Sequence, residues 1–505
     1  MNNNMNYRTR KEIDKDKLDI LFDACFSDDA RTSLAELIPL CKTKQAQEYI
    51  NAKPNRNKLT NLLLNLDAKT RKNAARLIGE LQSKADLPML KYAFEKESTL
   101  FVISSMILAL GNFDDSSLIE SIEQKVKSVQ LAATENDKKH IDEIINSFSK
   151  VKSKLSKKSD IDFSGFKNPI ELLAVSPENC SSIMLAEAKY KKIDLKYSSQ
   201  STATISTIDY TSLYKLRTLS EILIPLGKIN STSENWITKN ENILNRFKGI
   251  MQSIFSSRPI FYRVDIISNN GFRSDIIKQI ASSIDQNSYF VNSPSNYFCE
   301  LRLVLGDEPA AFAKLYFPKD ERFDYRIGSV PASINPVIAA NIMQFSYRYL
   351  KKNARVIDPC CGSATLLIER SKFNNTAELV GVDRDIQALK IAKKNSLAAK
   401  VNIDLIGGNL LTFNPNNKFD ELIANLPFGS RVGSKESSSL LHKQLLLRLD
   451  DYLKPNGTAI LFTTKHLAVL RVCDHLDWKV VAKKQFKTGG LSPWALVLKK
   501  VSVND

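Results

Sequence analysis

The chain lacks the features of an extracellular or membrane protein. Its seven cysteines (Cys25, Cys41, Cys180, Cys299, Cys360, Cys361 and Cys473) are odd in number, widely spread and form no CxxC pair, which argues against a disulfide framework or a zinc site. Four histidines, His140, His442, His466 and His475, share no ligand spacing, so no metal is expected. No run approaches the roughly 18 apolar residues of a membrane span, and the polar start Met1-Asn-Asn-Asn4 does not read as a signal peptide. A reduced, cytoplasmic protein without a membrane partner is the expectation. Acids are also scarce relative to bases: 55 against 72 over the 505 residues, a net charge of +17. From residue 326 to 505 there are 26 lysines and arginines against 14 acids. A basic domain of this kind suits a polyanion, and the length predicts about three domains.

The most informative stretch is Arg355-Val-Ile-Asp-Pro-Cys-Cys-Gly-Ser-Ala-Thr-Leu-Leu-Ile-Glu369. Val356 and Ile357 read as a buried strand, Gly362-Ser363-Ala364 as a tight turn that admits a ligand close to the backbone, and Leu366, Leu367 and Ile368 as the packing face of a helix. Asp358 falls at the strand's carboxyl end, where open α/β sheets place their ligands. A carboxylate there repels pyrophosphate and suits a cationic or hydroxylated ligand, and S-adenosylmethionine brings an amino group, a sulfonium and a ribose.

Two later segments narrow this reading. Leu379-Val-Gly-Val-Asp383 is a second strand ending in an acid about 25 residues on, where a ribose diol is expected. Asp404-Leu-Ile-Gly-Gly-Asn409 ends a third strand, and Asn409 stands where it can meet an adenine edge. The strand beginning at Phe419 then runs into Asn425-Leu426-Pro427-Phe428, an amide, a rigid backbone and an aromatic ring in four residues. That combination fits methylation of an exocyclic amino group. Its lone pair is delocalised into the ring, so a site must accept its hydrogens and hold the base against the methyl carbon.

On these runs the chain from about residue 325 to 500 resembles the Rossmann-fold methyltransferase domain of the THUMP-associated RNA guanine-N2 methyltransferases. The matching residues are Arg326, Pro331-Ala-Ser-Ile-Asn-Pro336, Ala339, Asp358 to Ser363, Asp383 and Asn425-Leu-Pro-Phe-Gly429. Ala364 departs from a common glycine, Asn409 from a common acid and Leu426 from a common proline. The resemblance implies a C-terminal α/β class I methyltransferase domain over residues 326–505 with S-adenosylmethionine as cofactor. It implies cofactor contacts from Pro331, Ser333, Asn335, Asp358, Cys360, Gly362, Ser363, Thr365, Asp383, Arg384, Asn409 and Leu410. Asn425, Leu426, Pro427 and Phe428 would hold the acceptor base, and Arg326 and Arg431 would touch RNA.

The rest of the chain reads as two further regions. Residues 1–150 are helical, and a motif around Gly79 and Leu81 recurs about 32 residues later as Gly111 and Phe113. This predicts an all-α, HEAT-like stack that presents a surface to RNA or to a protein partner. Residues 147–159 alternate serine and lysine with almost nothing to bury and read as a linker or a fraying helix end. Glu369, early in the helix after the cofactor turn, reads as an acid that complements the helix dipole or orders the cofactor. Residues 160–325 form an α+β region. Here residues 214–224 resemble part of a ferredoxin-like domain and residues 261–317 a degenerate THUMP domain, a pair that in the family grips the acceptor end of tRNA.

The expected activity is N2-methylguanosine formation in structured RNA, with tRNA ahead of ribosomal RNA. An adenine-N6 methyltransferase acting on DNA uses the same kind of turn, and a non-catalytic RNA-binding protein could keep the same fold. The match at residues 326–339 speaks against the first, and the intact Asp358, Asp383 and Asn425 speak against the second.

Overall fold

The computed structural model describes residues 14–155, 162–230, 235–256, 259–268, 274–285, 289–293, 297–331, 333–427 and 435–501. Its N-terminal part explains the recurring glycines. Helices Ala30–Leu40, Ala68–Leu81, Leu100–Leu110 and Lys138–Leu155 pack each against the next in one layer. At Gly79 a Cβ would lie 2.7 Å from the Ala109 Cα of the next helix, and at Gly111 it would lie 2.4 Å from Val151 Cγ2 of the one after. Equivalent positions in the repeat are therefore helix crossings too close for a side chain. Bonds between residues 30 apart tie successive units: Asn51 Nδ2 donates to Leu81 O, Lys125 Nζ donates to Glu95 O, and Arg56 pairs with the buried Asp86. Gly79→Ala is expected to destabilise this region by about 1–3 kcal/mol through overpacking against backbone. An unchanged melting temperature would show that the helices can part without cost.

The serine-lysine stretch takes the second of its two readings, a helix end and not a linker, over its described part. Its first half continues helix Lys138–Leu155, with Val151 and Leu155 buried in the N-terminal core, so the helical region extends past residue 150. Its remainder, residues 156–159, lies outside the described residues.

The middle region is built on one sheet: β1 Ile170–Val175, β2 Lys196–Tyr197, β3 Thr202–Thr207, β4 Glu221–Lys228, β5 Ile260–Ser268, β6 Phe290–Asn292, β7 Cys299–Leu305 and β8 Ala310–Leu315. Their order is β2-β3-β1-β4-β8-β7-β5-β6. The two segments read separately from sequence are thus joined, because β4 pairs with β1 on one side and β8 on the other. Helices Ser181–Tyr190, Glu241–Ile254 and Ser274–Ile284 accompany it.

The C-terminal sheet comprises β9 Ala354–Asp358, β10 Thr376–Asp383, β11 Asp404–Gly407, β12 Phe419–Asn425, β13 Leu453–Thr463, β14 Trp478–Gln485 and β15 Trp494–Lys500. Their order is β11-β10-β9-β12-β13-β15-β14, with the pairs from β11 to β13 parallel and β15 antiparallel to both neighbours. Strands buried on both faces read as unbroken apolar runs: Val356 and Ile423 enter one core, Ile357 and Leu422 the opposite one. Gly489 and Gly490, at φ 56° and 76°, turn the chain between β14 and β15.

The middle and C-terminal units share a core, since Cys180 and Ile183 pack with Ile338, Ile342 and Leu367. Asn341 Nδ2 donates to Thr218 O at 3.0 Å across the same seam. Glu369 also lies there. Its buried carboxylate accepts Arg217 Nε and Nη2, each at 2.7 Å, and the Tyr325 hydroxyl at 2.7 Å. It therefore faces the middle region, and the dipole or cofactor-ordering role read from sequence gives way to a clamp between domains.

Candidate active site

Strand order reverses at β9, which has β10 and β11 on one side and β12 and β13 on the other. A crevice at the carboxyl ends is the consequence. Four consecutive strands bring Asn409, Asp383, Asp358 and Asn425 to this edge.

Asp358 is buried and accepts the Cys360 N–H at 3.1 Å. Burial, with the nearby Asp383 charge adding to it, pushes its carboxyl up to about 8. Asp383 is held from two sides: Gly362 N–H donates to Oδ2 at 2.8 Å and Asp385 N–H to Oδ1 at 2.9 Å. Between the two acids, Cys361 N–H donates to Val382 O at 2.9 Å, which draws the turn onto β10. A Cβ at Gly381 would lie 3.0 Å from Cys361 Sγ and from Leu405 Cδ2, so the turn packs tightly on β10 there. Gly362 has φ 53°, and only Val330 Cγ2, at 3.6 Å, approaches the place of its missing Cβ. Ala364 also adopts the left-handed conformation, φ 61°, at a cost of roughly 1–2 kcal/mol that glycine would avoid.

The segment before the first helix folds onto this turn. Ser333 Oγ accepts the Val330 N–H and lies 2.8 Å from Ser363 Oγ, which is 3.2 Å from Thr365 Oγ1. Asn335 caps helix Pro336–Phe345 through the Val337 N–H, while Pro331 is exposed in the turn before it. Arg384 is exposed just past Asp383. Asn409, also exposed, spends its amide oxygen on the Leu411 N–H, although the bond from Gly408 N to Asp383 O keeps its loop beside the second acid. Leu410 is a core residue whose carbonyl accepts Tyr452 Oη and Arg448 Nη1.

Asn425 is half-buried and pairs in register with Phe462, and Leu426 N–H donates to Phe462 O at 3.0 Å. The Cys360 thiol reaches the Asn425 carbonyl at 3.8 Å, tying the turn after β9 to the one after β12. Pro427 is half-buried at the end of that stretch. Phe428 and Arg431 lie outside the described residues. Arg326 is half-buried in the connection between β8 and helix Pro336–Phe345.

Two supports escaped the sequence reading. Asn395, buried on helix Ile386–Ala399, donates to Gly328 O and Ser363 O and accepts Gly328 N–H, so one amide pins both loops. An asparagine on the core side of an amphipathic helix was the signal. Arg370 and Glu421, both fully buried, join the helix after the cofactor turn to β12. Their charges sit in runs that otherwise read as packing faces.

A seven-stranded sheet of this order, with acids at two adjacent strand ends, defines a class I methyltransferase fold. Residues 324–493 match the family model UPF0020, the RMKL-like methyltransferase domain. Relatives include the tRNA (guanine(6)-N2)-methyltransferase of Methanocaldococcus jannaschii, 26% identical over 203 residues, covering 32% of this chain and 51% of the relative. The enzyme of the same name from Thermus thermophilus is 27% identical over 174 residues, covering 34% of this chain and 50% of the relative. The chain thus spans about half the length of these curated relatives. The crystal structure of TrmN from Thermus thermophilus superposes with a TM-score of 0.51 at 18% identity, over 66% of this chain and 99% of that one, a likeness of fold.

The state of Asp358 yields a pH prediction. Its folded pKa is raised above the unfolded value of about 3.9, so the fold without ligand binds the extra proton, and stability from this group falls as pH rises from about 4 to about 8. A cationic ligand beside it favours the ionised form. Binding of S-adenosylmethionine at pH 7 is therefore expected to release a proton, and affinity should rise with pH up to about 8. Calorimetry in two buffers of different protonation enthalpy reads this directly; identical enthalpies would contradict it.

Proposed function

We propose that this protein is an S-adenosylmethionine-dependent RNA methyltransferase that forms N2-methylguanosine, with tRNA as its substrate. The observation that carries the reading is the join between the two turns: the Asp358 to Thr365 cradle and the Asn425-Leu426-Pro427 stretch end neighbouring strands and touch through Cys360. The cradle fits the cofactor by its chemistry. Asp383 is a carboxylate fixed by two backbone donors and able to accept from a ribose diol, the buried Asp358 suits a cationic ligand, and the Gly362 backbone leaves room for close approach.

The cofactor, when bound, supplies a methyl group activated by a sulfonium. The chain's residues do the remaining work on the acceptor. A guanine amino group is a poor nucleophile, and inside a helix it cannot align with the methyl carbon, so the base must leave its stack. Asn425 accepts an amino hydrogen, Pro427 stiffens the loop so that the Leu426 carbonyl can share the task, and Phe428 stacks on the base. The surplus proton leaves to water after transfer.

Selection of the RNA falls to the preceding regions in this reading. The middle sheet would act as the ferredoxin-like and THUMP-like grip, and the N-terminal helices as a HEAT-like platform that extends the contact or docks a protein, all in the cytoplasm. Support comes from the names of the relatives and from the basic charge of the chain. The experiment is nucleoside mass spectrometry of tRNA and rRNA from cells with and without the gene. Loss of N2-methylguanosine from tRNA supports the reading, and an unchanged nucleoside profile refutes it.

The cradle has its own test. Asp383→Ala removes a charge-assisted pair of ribose bonds and is expected to weaken S-adenosylmethionine binding by roughly 1.5–3 kcal/mol. Unchanged affinity by calorimetry would show that the cofactor lies elsewhere.

A further inference from the structure

Next to the acceptor turn lies a ring pair that the reaction described above does not use. Asn425 is in register with Phe462 of β13, and the next residue, Thr463, is in register with Trp494 of β15. Trp494 therefore stands two strand spacings from Asn425, roughly 10 Å between backbones, at the same carboxyl edge; one register step on, its ring leaves the sheet on the face opposite Asn425, the face on which Leu426 of the acceptor turn packs. His466, the first residue of helix His466–Cys473, stacks on it with centroids 4.7 Å apart and ring planes at 29°. Lys483 Nζ lies 5.9 Å from the indole centroid, and Lys465 precedes the histidine.

Both rings are half-buried and Lys483 is exposed, whereas the other two tryptophans, Trp236 and Trp478, are 1% and 2% exposed. Packing alone would favour burying the indole as completely as those. Burial, and then the Lys483 charge, holds the His466 imidazole below its ordinary pKa, so it serves as a neutral ring in the stack. Flat π faces flanked by ammonium groups are what single-stranded nucleic acid binds, bases on the rings and phosphates on the cations.

We infer that the Trp494–His466 pair, with Lys483, is a stacking platform for an unpaired nucleotide of the RNA flanking the methylated base. This rests on the proposed RNA methyltransferase activity and adds to it a positioning role for side chains outside the acceptor turn. Once the target base has left its stack, a neighbouring base loses a partner, and the platform supplies one beside the site where the flipped base is held.

The test uses the full chain and an unmodified in-vitro tRNA transcript, first without methyl donor. Tryptophan fluorescence is expected to be quenched on titration, and Trp494→Phe, which keeps a stacking ring, should abolish the quench while binding stays close to the parent. In methyl transfer, Trp494→Ala should raise KM for tRNA by roughly 5–150-fold with kcat and donor affinity little changed. Lys483→Ala should lower the salt dependence of binding by about one unit of log–log slope. A quench that survives in Trp494→Phe, or parental tRNA affinity in both His466→Ala and Trp494→Ala, overturns the platform. Should Trp494→Ala fail to fold, judged by its circular dichroism melt, the Trp494→Phe quench and the His466→Ala and Lys483→Ala affinities decide. Quenching by tRNA with methyl transfer to adenine keeps the platform and removes the guanine-N2 reading. Normal guanine-N2 transfer without any quench removes the platform alone.

Discussion

Replacing Asn425 by Ala is expected to lower the rate of methyl transfer by about 10²–10³ while leaving S-adenosylmethionine affinity unchanged. The side chain sits at the end of β12, where we propose the acceptor base is held, and its backbone is fixed independently of the amide. Leu426 N–H donates to Phe462 O, and the Cys360 thiol contacts the Asn425 carbonyl. Removing the amide should therefore leave the turn in place and delete one preorganised acceptor for the amino hydrogens. Single-turnover transfer to tRNA, with calorimetry of donor binding in parallel, separates the two effects. A rate within a few-fold of the parent would remove Asn425 from the reaction.

The second large effect is on stability. Arg370 and Glu421 have no exposed side-chain surface, and their bonds are complete. Arg370 Nε donates to Glu421 Oε2 at 2.6 Å and Nη2 to Oε1 at 3.0 Å; Lys351 N–H donates to the same carboxylate, and Arg370 reaches Lys351 O and Asn374. Breaking such a pair leaves a buried charge uncompensated, which costs about 3–5 kcal/mol. Glu421→Gln or Arg370→Met should lower the melting temperature by roughly 6–20 °C. The double replacement Arg370→Met with Glu421→Leu should cost less than either single change, because no charge is then stranded. Equal melting temperatures for parent and Glu421→Gln would show that the pair is not the brace between the cofactor helix and β12.

The difference between these residues and the cradle explains what could be read in the chain. Val356-Ile357, Leu379-Val380 and Leu422-Ile423 announce themselves because strands covered on both faces have no polar position to interrupt them. Asp358 and Asp383 stand out as acids ending those runs, and Gly362 as a residue suited to the left-handed turn the structure gives it. Glu369 gave no such signal. Its partner Arg217 is 152 residues away, and an acid early in a helix beside a cofactor turn reads by default as serving the dipole or the cofactor. The pairing that joins the two halves of the middle region was hidden for a related reason: β4 pairs with β8 across some eighty residues of chain, a contact that no local pattern reports. At the end of the N-terminal region, Val151 and Leu155 have the four-residue spacing of a helix face, but the surrounding serines and lysines masked it. Helix Glu241–Ile254 was legible in principle, since Ile243, Leu244, Phe247, Met251 and Ile254 follow the helical period and are all buried.

The most direct measurement is methyl transfer by the purified full-length protein from isotopically labelled S-adenosylmethionine to an unmodified tRNA transcript, followed by digestion and nucleoside mass spectrometry. Label in N2-methylguanosine, lost in Asn425→Ala, is the expected result. Label in N6-methyladenosine, or no labelled nucleoside from tRNA at all, would contradict it.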